Sequence, residues 1–92
     1  MLVLKTTARF RKDYKRARKQ GKPLAQLGII IDRLLAEETL EPKYRDHALS
    51  GIYEGFRECH IQPDWLLIYA VDKGQLVLTA VRTGSHSELF SE

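Results

Sequence analysis

The chain has 92 residues, of which 43% are hydrophobic and 29% charged, and its formal net charge at pH 7 is +3. This length and balance exclude a disordered chain, and they predict one domain over residues 1–92 with no room for a separate cofactor-binding domain. A single cysteine, Cys59, excludes an intrachain disulfide and a zinc site built from cysteine pairs. The longest apolar run, residues 65–71, is too short to cross a membrane, and no signal peptide is recognisable, so we expect a cytoplasmic protein.

The first part of the chain predicts a strand followed by two helices. Residues 2–6 alternate and indicate a short strand, after which Thr6 or Thr7 can cap a helix that ends at Gly21. Pro23 suits the first turn of a second helix, in which leucine and isoleucine recur at helical spacings. These two helices are expected to form an antiparallel hairpin.

The rest of the chain predicts mainly strands. Residues 43–50 are polar and aperiodic, which is typical of a loop. Residues 52–61 and 76–81 alternate, and residues 65–71 are continuously apolar, as in a strand buried on both faces. A turn at residues 72–74, whose glycine can take positive φ, joins the last two strands. The predicted fold class is therefore α+β: a short N-terminal strand, a two-helix hairpin and a three-strand antiparallel meander, forming a four-stranded sheet with the helices packed on it.

Positive charge is concentrated in the first helix. Residues 1–22 hold nine basic side chains and one acid, Asp13, for a net charge of +8, whereas residues 23–92 carry −5. An ordinary solvated helix face mixes both signs, so this concentration favours contact with a polyanion such as nucleic acid, or with an acidic protein. The side chains expected to contact such a polyanion or acidic partner are Arg11, Lys12, Lys15, Arg16, Arg18 and Lys19.

Three histidines lie in predicted loops or at strand ends: His47, His60 and His86. Asp64 follows His60 across Pro63, and Arg82 precedes His86 by four residues. Imidazoles, a carboxylate and a guanidinium are groups that move protons and hold a phosphate. A zinc site is the competing interpretation, but Pro63 prevents a helical pair and no His-x-x-x-His spacing occurs, so we expect no metal.

Other conspicuous residues have structural interpretations by type alone. Trp65 begins a buried strand and is by default a core anchor, while Phe90 can cover the core near the terminus. Arg82 can form a surface ion pair, and Cys59 is expected to be a small core residue. No P-loop, Gly-x-Ser-x-Gly elbow or His-Glu-x-x-His helix occurs in the sequence, which argues against nucleotide-binding, serine hydrolase and zinc protease activities.

Three blocks of sequence carry a resemblance to a known family: residues 44–51, 56–69 and 82–90. In this order they resemble the YafQ-type branch of the RelE/ParE toxin superfamily, along nearly the whole chain. The resemblance implies a RelE-like microbial RNase fold and a ribosome-dependent endoribonuclease, the toxin of a bacterial type II toxin–antitoxin pair. Its partners would be a cognate antitoxin, the ribosome and mRNA, with no metal or other cofactor. The RelE branch proper relies on lysine and arginine rather than several histidines, so this chain follows the YafQ pattern.

The matching blocks also imply which residues are functional. The family's functional positions carry over to His47, His60, Asp64, Trp65, Arg82, His86 and Phe90. Phe90 and Trp65 are the substrate-binding residues of this set, Phe90 as a platform that stacks a splayed base, although the role of Trp65 is open between substrate and core. RNA can be cut without metal when its own 2′-OH attacks the adjacent phosphate. This reaction needs a base, an acid and a group that stabilises the extra negative charge.

These requirements assign roles to five residues. His86 is the expected general acid, and Arg82 is the expected clamp on the phosphate in the transition state. His60 and Asp64 are candidates for the base side, with His47 assisting. Free imidazole suits both proton steps because its pKa of about 6.5 lies near neutrality.

Two other functions remain alternatives to the RNase. One is a non-nucleolytic toxin resembling ParE, which binds and poisons DNA gyrase. The other is a plain nucleic-acid-binding adaptor that uses the basic helix. The histidines and Arg82 favour the RNase, since a pure protein binder has no need of groups that transfer protons.

Overall fold

The computed structural model describes residues 1–90, and the last two residues of the expected domain lie outside them. The strands are β1 (Val3–Thr6), β2 (His47–Ala48), β3 (Arg57–Gln62), β4 (Trp65–Asp72) and β5 (Val77–Gly84). The helices are α1 (Ala8–Lys19), α2 (Leu24–Leu35) and α3 (His86–Phe90). The strands form one sheet in the order β1-β5-β4-β3-β2, in which β1 runs parallel to β5 and the other neighbours are antiparallel. The predicted α+β class is confirmed.

The sheet has five strands where four were expected. The extra strand, β2, lies in the segment predicted to be a loop, and it pairs His47 with Glu58 and Ala48 with Arg57. A two-residue strand without apolar alternation leaves no periodic signal in the sequence. The predicted strand over residues 52–61 was also too long, because a 3₁₀ turn over Gly51–Tyr53 precedes it and β3 begins only at Arg57.

Local signals at the helix ends and turns account for the chain path. Thr7 caps α1, where its hydroxyl oxygen accepts a hydrogen bond from the Phe10 N–H at 2.9 Å. Gly21 takes a φ of 74° after α1, as predicted. In the β4–β5 turn, positive φ falls on Leu76 rather than on the predicted glycine. The Asp72 carboxylate accepts the Gln75 N–H at 3.1 Å in this turn.

Strand β4 is buried on both faces, as its apolar run predicted. On one face Trp65, Leu67 and Tyr69 pack in the main core with the apolar sides of α1 and α2. On the other face Leu66 and Ile68 pack against Leu89 of α3. Full burial of one large apolar side chain contributes roughly 1.5–3 kcal/mol, so packing on both faces fixes the centre of the sheet and the ends of its strands.

Cys59 lies in this core and is fully buried. Burial raises the pKa of its thiol to about 12, so the sulfur stays protonated at neutral pH. The prediction of a small core residue is confirmed. Over residues 1–90, none of the helices is long and apolar enough to cross a membrane.

Candidate active site

The candidate site lies at one end of the sheet, where β3 ends, β4 begins and β5 ends. Antiparallel pairing brings these ends together, because Leu66 of β4 lies opposite both His60 of β3 and Gly84 of β5. Asp64 lies in the turn between β3 and β4, and His86 begins α3 directly after β5. The topology therefore gathers residues that are more than twenty positions apart in the sequence.

His86 is held by Asp64. Its Nδ1 lies 2.7 Å from Asp64 Oδ1, and its backbone N–H donates to the same oxygen at 2.9 Å. These hydrogen bonds, the backbone one foremost, hold the pKa of Asp64 below its usual value. Because an ionised carboxylate can only accept, Nδ1 carries a hydrogen and Nε2 is left for another partner. Asp64 was expected, with His60, to be a candidate for the general base. In the structure it contacts His86, the expected general acid.

His60 and His47 share one carboxylate, that of Glu58. Glu58 is 4% exposed, and its Oε1 lies 3.3 Å from His60 Nε2 and 3.7 Å from His47 Nε2. Glu58 was not among the candidate residues predicted from the sequence. The available signal was its spacing, since residues two apart in a strand share one face and Glu58 stands two before His60.

The segment that carries His47 is shaped by two local contacts. Arg45 has a left-handed φ of 48°, and its carbonyl oxygen lies 2.6 Å from His47 Nδ1. A carbonyl only accepts, so Nδ1 donates. Asp46 fixes the segment to the sheet by accepting from the Tyr69 hydroxyl at 2.5 Å and from Arg57 Nε at 3.3 Å. Burial raises the pKa of Tyr69, so its hydroxyl remains a donor.

The imidazoles form a compact group with an accessible aromatic ring beside it. The ring centroids of His60 and His86 lie 5.4 Å apart. Phe90, at the end of α3, lies 6.5 Å from the His86 ring and 5.8 Å from the Tyr53 ring, and it is 42% exposed. The exposed face of Phe90 can therefore stack a base next to His86.

Arg82 is oriented by Asp13 of α1. Its Nε and Nη2 donate to the two carboxylate oxygens of Asp13, each at 3.0 Å. Asp13 is 3% exposed and also accepts from Arg16 Nη2 at 3.1 Å and from the Thr83 N–H at 3.2 Å. The hydrogen bonds from Arg82 to Asp13 raise the pKa of Arg82, and the nearby Tyr53 hydroxyl raises it further. In the sequence Asp13 is a lone acid among basic residues, whereas in the structure it is the residue that fixes Arg82.

Arg16 differs from the other basic residues of α1 in facing the protein. Its Nε lies 3.1 Å from Glu88 Oε2, and the other carboxylate oxygen of Glu88 accepts the Ser85 N–H at 2.8 Å. Gln20 Nε2 donates to Glu88 Oε2 at 3.0 Å. Arg16 therefore braces α3 against α1. The basic residues of this helix that remain exposed are Arg9, Arg11, Lys12, Lys15, Arg18 and Lys19.

Trp65 lies beneath the site and away from the surface. Its side chain is 1% exposed within the main core, and its Nε1 has no hydrogen-bond partner among residues 1–90. A ring in this position supports the strand that carries the site. This placement favours the core interpretation of Trp65 over contact with a substrate.

Replacement of Trp65 separates these two interpretations. We expect Trp65→Phe to change the free energy of unfolding by less than about 2 kcal/mol, because the lost packing is partly offset by removing an unpaired N–H. Trp65→Ala should cost about 3–5 kcal/mol through the cavity it leaves. Denaturant unfolding and an RNA-cleavage assay of Trp65→Phe check this together. A stable Trp65→Phe protein that has lost cleavage would return Trp65 to the substrate-binding set.

Three donor atoms near the centre of the site could also hold a metal ion. One atom each from Glu58, His60 and His86 lies within 4.8 Å of the others. Two imidazole nitrogens and a carboxylate oxygen are a donor set that suits zinc or copper. Spacing along the chain gave no sign of it, because the donors come from β3 and α3 rather than from one helix.

Known proteins resemble this chain over almost its whole length. A family model described as a bacterial toxin of type II toxin–antitoxin systems, YafQ, matches residues 2–91. The mRNA interferase toxin YafQ of Escherichia coli K12 is 37% identical over 86 residues, which cover 91% of this chain and 90% of that protein. A metal-bound toxin from Helicobacter pylori superposes with a TM-score of 0.92 at 47% identity, covering 98% of this chain and 100% of that one. YafQ in the E. coli DinJ–YafQ complex gives 0.89 at 33% identity, covering 98% and 99%. The chain therefore belongs to the YafQ family of bacterial type II toxin–antitoxin toxins.

Proposed function

We propose that this chain is an endoribonuclease toxin that cuts mRNA on the ribosome by acid–base chemistry and thereby inhibits translation. The observation that carries the proposal is the pair of imidazoles, His60 and His86, whose ring centroids lie 5.4 Å apart and which each adjoin a carboxylate. Relatives named mRNA interferase support it. A gyrase-binding toxin would have no use for such a pair, so the ParE-like function is the weaker candidate.

In the proposed reaction the 2′-oxygen of one ribose attacks the adjacent phosphorus, and the bond from phosphorus to the 5′-oxygen breaks. His60 takes the proton from the 2′-OH, and His86 gives the proton on Nε2 to the leaving 5′-oxygen. The products are a 2′,3′-cyclic phosphate and a 5′-OH. Asp64 supports this role of His86 because it binds Nδ1 and turns Nε2 away from itself.

The surrounding residues would orient the two imidazoles and stabilise charge. Glu58 touches Nε2 of His60, which leaves Nδ1 of His60 to receive the proton. His47 contacts the same carboxylate and would limit its movement. Arg82, held by Asp13, would offset the extra negative charge on the phosphate in the transition state.

The decisive experiment adds the purified toxin to translating ribosomes and maps the ends of the messenger. We expect cleavage within codons, with 2′,3′-cyclic phosphate and 5′-OH ends. The same preparation should leave DNA gyrase active in a supercoiling assay. Intact messenger together with inhibited gyrase would support the ParE-like alternative instead.

Removal of metal provides a second test of this chemistry. We expect cleavage to survive a zinc-selective chelator when the ribosome keeps its magnesium, because proton transfer uses the imidazoles themselves. Added Zn²⁺ should inhibit, since a metal on Glu58, His60 and His86 would occupy the nitrogen lone pairs. The similar toxin from H. pylori is metal-bound, which supports metal binding by this chain. Dialysed toxin that regains activity only with zinc would overturn the acid–base scheme.

The ribosome is the proposed partner of the exposed basic face of α1. A helix of twelve residues is about 18 Å long, so most of these charges lie far from any one phosphate. They would hold the ribosomal RNA backbone without sequence preference and with a steep dependence on salt.

The cognate antitoxin is the proposed protein partner, supported by the DinJ–YafQ complex of the relative. An acidic antitoxin segment on the same face would block docking. The bacterial cytoplasm, where ribosomes and mRNA meet, is the corresponding location.

Neutralising part of this face tests ribosome docking. In the triple variant Lys15→Gln, Arg18→Gln and Lys19→Gln, we expect weaker ribosome binding and a salt slope flatter by about two to three units, because roughly one counterion is released per phosphate contact. Codon preference should not change. Sedimentation at several salt concentrations measures this, with Lys73→Gln on the β4–β5 turn as control. Binding equal to wild type at every salt concentration would make the α1 face merely solvated.

A further inference from the structure

The last helix, α3, is too short to be stable by itself. It has five residues, whereas isolated helices shorter than about 12 residues are marginal in water. Leu89 packs against Leu66 and Ile68 and so holds α3 on the sheet. His86, the proposed general acid, is the first residue of this helix. The position of its imidazole therefore depends on contacts between α3 and the rest of the protein.

Two carboxylates hold consecutive backbone N–H groups where α3 begins. The Ser85 N–H donates to Glu88 Oε1 at 2.8 Å, and the His86 N–H donates to Asp64 Oδ1 at 2.9 Å. The Glu88 N–H donates in return to the Ser85 hydroxyl oxygen at 3.1 Å, which completes a capping box. The backbone that carries the imidazole is thus fixed by one carboxylate from the β3–β4 turn and by one from α3 itself.

The two carboxylates differ in how firmly the protein holds them. Asp64 lies in a turn, and its side chain is 69% exposed. The Glu88 side chain is 24% exposed, and its Oε2 accepts from Arg16 Nε at 3.1 Å and from Gln20 Nε2 at 3.0 Å. The hydrogen bonds to Glu88, that of the Ser85 N–H foremost, hold its pKa below the usual value, so the carboxylate is ionised at neutral pH. Glu88 is therefore the firmer of the two anchors.

Arg16 connects Glu88 to the buried carboxylate that orients Arg82. Its Nη2 donates to Asp13 Oδ1 at 3.1 Å, and the two oxygens of Asp13 also accept from Arg82. Charge-assisted hydrogen bonds to a buried carboxylate are stronger than those of an exposed ion pair. The helix of the proposed acid and the proposed phosphate clamp therefore share one support, Asp13.

A glycine at the end of β5 leaves room for the contact between Arg16 and Glu88. A Cβ atom on Gly84 would lie 3.0 Å from both Arg16 Nη2 and Glu88 Oε1. Gly84 is not among the glycines with positive φ, so its role here is steric rather than conformational. The ion pair accordingly lies directly against the chain that leads from β5 into α3.

We propose that Arg16 and Glu88 are positioning residues for His86: Arg16, anchored on Asp13, holds the carboxylate that fixes the start of α3. This inference rests on the proposed function, because it takes His86 as the general acid. Arg16 then differs in role from the exposed basic residues of α1, and its loss should slow cleavage without weakening ribosome binding. A misplacement of about 1 Å caused by a distant mutation can slow a reaction by about 10²-fold.

Two glutamine variants remove the ion pair from opposite sides. Glu88→Gln keeps an oxygen that can accept the Ser85 N–H but loses the charge that Arg16 contacts, and Arg16→Gln leaves Asp13 paired with Arg82. We expect each variant to slow single-turnover cleavage by about 10- to 100-fold, which is part of the contribution of a general acid. Ribosome affinity should stay near wild type. The double variant should be no slower than the slower single variant, because both changes break one contact.

The matched control is Glu41→Gln. This change breaks the ion pair between Glu41 and Arg33 of α2, whose atoms lie 3.0 Å apart, and it leaves the contacts of α3 intact. The control should cut at the wild-type rate. Thermal unfolding of all variants measures any loss of stability.

A messenger with sulfur in place of the bridging 5′-oxygen at the cut tests whether the lost rate belongs to the acid step. The leaving group is then a thiolate, which needs no proton because a thiol is far more acidic than an alcohol. We expect His86→Ala, Glu88→Gln and Arg16→Gln to cut this messenger nearly as fast as the wild-type toxin does. Arg82→Lys should remain slow, because the clamp acts on the phosphate. A merely structural defect would slow cleavage of both messengers alike.

Hydrogen exchange of the His86 N–H tests the geometry without RNA. We expect this N–H to exchange several-fold faster in Glu88→Gln and Arg16→Gln, because the start of α3 opens more often. Exchange in the Glu41→Gln control should match wild type. The N–H groups of β4 should keep their protection in every variant, since the strand does not depend on the ion pair.

Three outcomes would overturn the inference. They are wild-type cleavage rates in both glutamine variants, a loss of ribosome affinity in Arg16→Gln as large as the loss of rate, and failure of sulfur to restore these variants although it restores His86→Ala. If sulfur does not restore His86→Ala either, the proposed role of His86 is wrong and the inference falls with it. A wild-type toxin that cuts no message contradicts the proposed function instead, and hydrogen exchange still decides whether Arg16 and Glu88 hold His86.

Discussion

His86→Ala is expected to slow mRNA cleavage by about 10²–10⁴-fold, the usual contribution of a general acid. The ring is about half exposed, and it contacts only Asp64 and the neighbouring rings of His60 and Phe90 among the described residues, so the fold should survive its removal. Single-turnover cleavage on stalled ribosomes measures the rate. Thermal unfolding and antitoxin binding of the same variant should match wild type.

A variant of Asp64 distinguishes the contribution of His86 as the general acid from that of the carboxylate that holds it. Asp64→Asn keeps an oxygen that can accept from the His86 backbone and ring, so its rate should fall less than that of His86→Ala. If His86→Ala cuts at nearly the wild-type rate, another group protonates the leaving oxygen. If Asp64→Asn is the more damaging change, Asp64 itself takes part in proton transfer.

Arg82→Lys is expected to lower the cleavage rate by about 10²–10³-fold, similar to the loss of one donor that stabilises a transition state. A single ammonium cannot bind both oxygens of Asp13 in the geometry of the guanidinium and also reach the phosphate. Ribosome affinity should stay near wild type, because the clamp acts in the transition state. Separate measurement of the rate constant and of ribosome binding checks that the rate falls while the affinity does not.

The control for Arg82 is Arg57→Lys, because Arg57 also pairs with an aspartate, Asp46, but belongs to β3. This variant should cut much faster than Arg82→Lys at equal stability. Equal loss of ribosome affinity and rate in Arg82→Lys would make Arg82 a docking residue. A large loss of unfolding free energy in Arg82→Lys alone would indicate that the pair with Asp13 serves the fold.

Patterns that repeat along the chain predicted most of the fold. The apolar periodicity of α2 and the continuous run of β4 gave their positions closely, because burial imposes a period or a run. Strand β2 has only two residues, and its pairing with β3 depends on the sheet already being formed. A local pattern in the sequence therefore cannot predict this pairing.

The candidate site was predictable only in part for a related reason. Histidines and Arg82 stand out by type, but Glu58 and Asp13 are acids among many, and their role comes from burial. Glu58 meets His47 through the register of β2 and β3, and Asp13 meets Arg82 across the contact between α1 and β5. The sequence therefore indicated the groups that we propose to react, and it did not indicate the groups that hold them in place.

The contact between Asp13 and Arg82 also bears on the stage of folding at which the protein becomes toxic to the cell. These residues are 69 positions apart, and their contact requires β5 to have docked against α1. Contacts across such long loops form late, because the entropy of closing the loop opposes them until other packing compensates. The basic face of α1, in contrast, is complete as soon as the helix itself has formed. A partly folded chain is therefore expected to hold RNA without cutting it, and nuclease activity should arise only in the final cooperative step of folding.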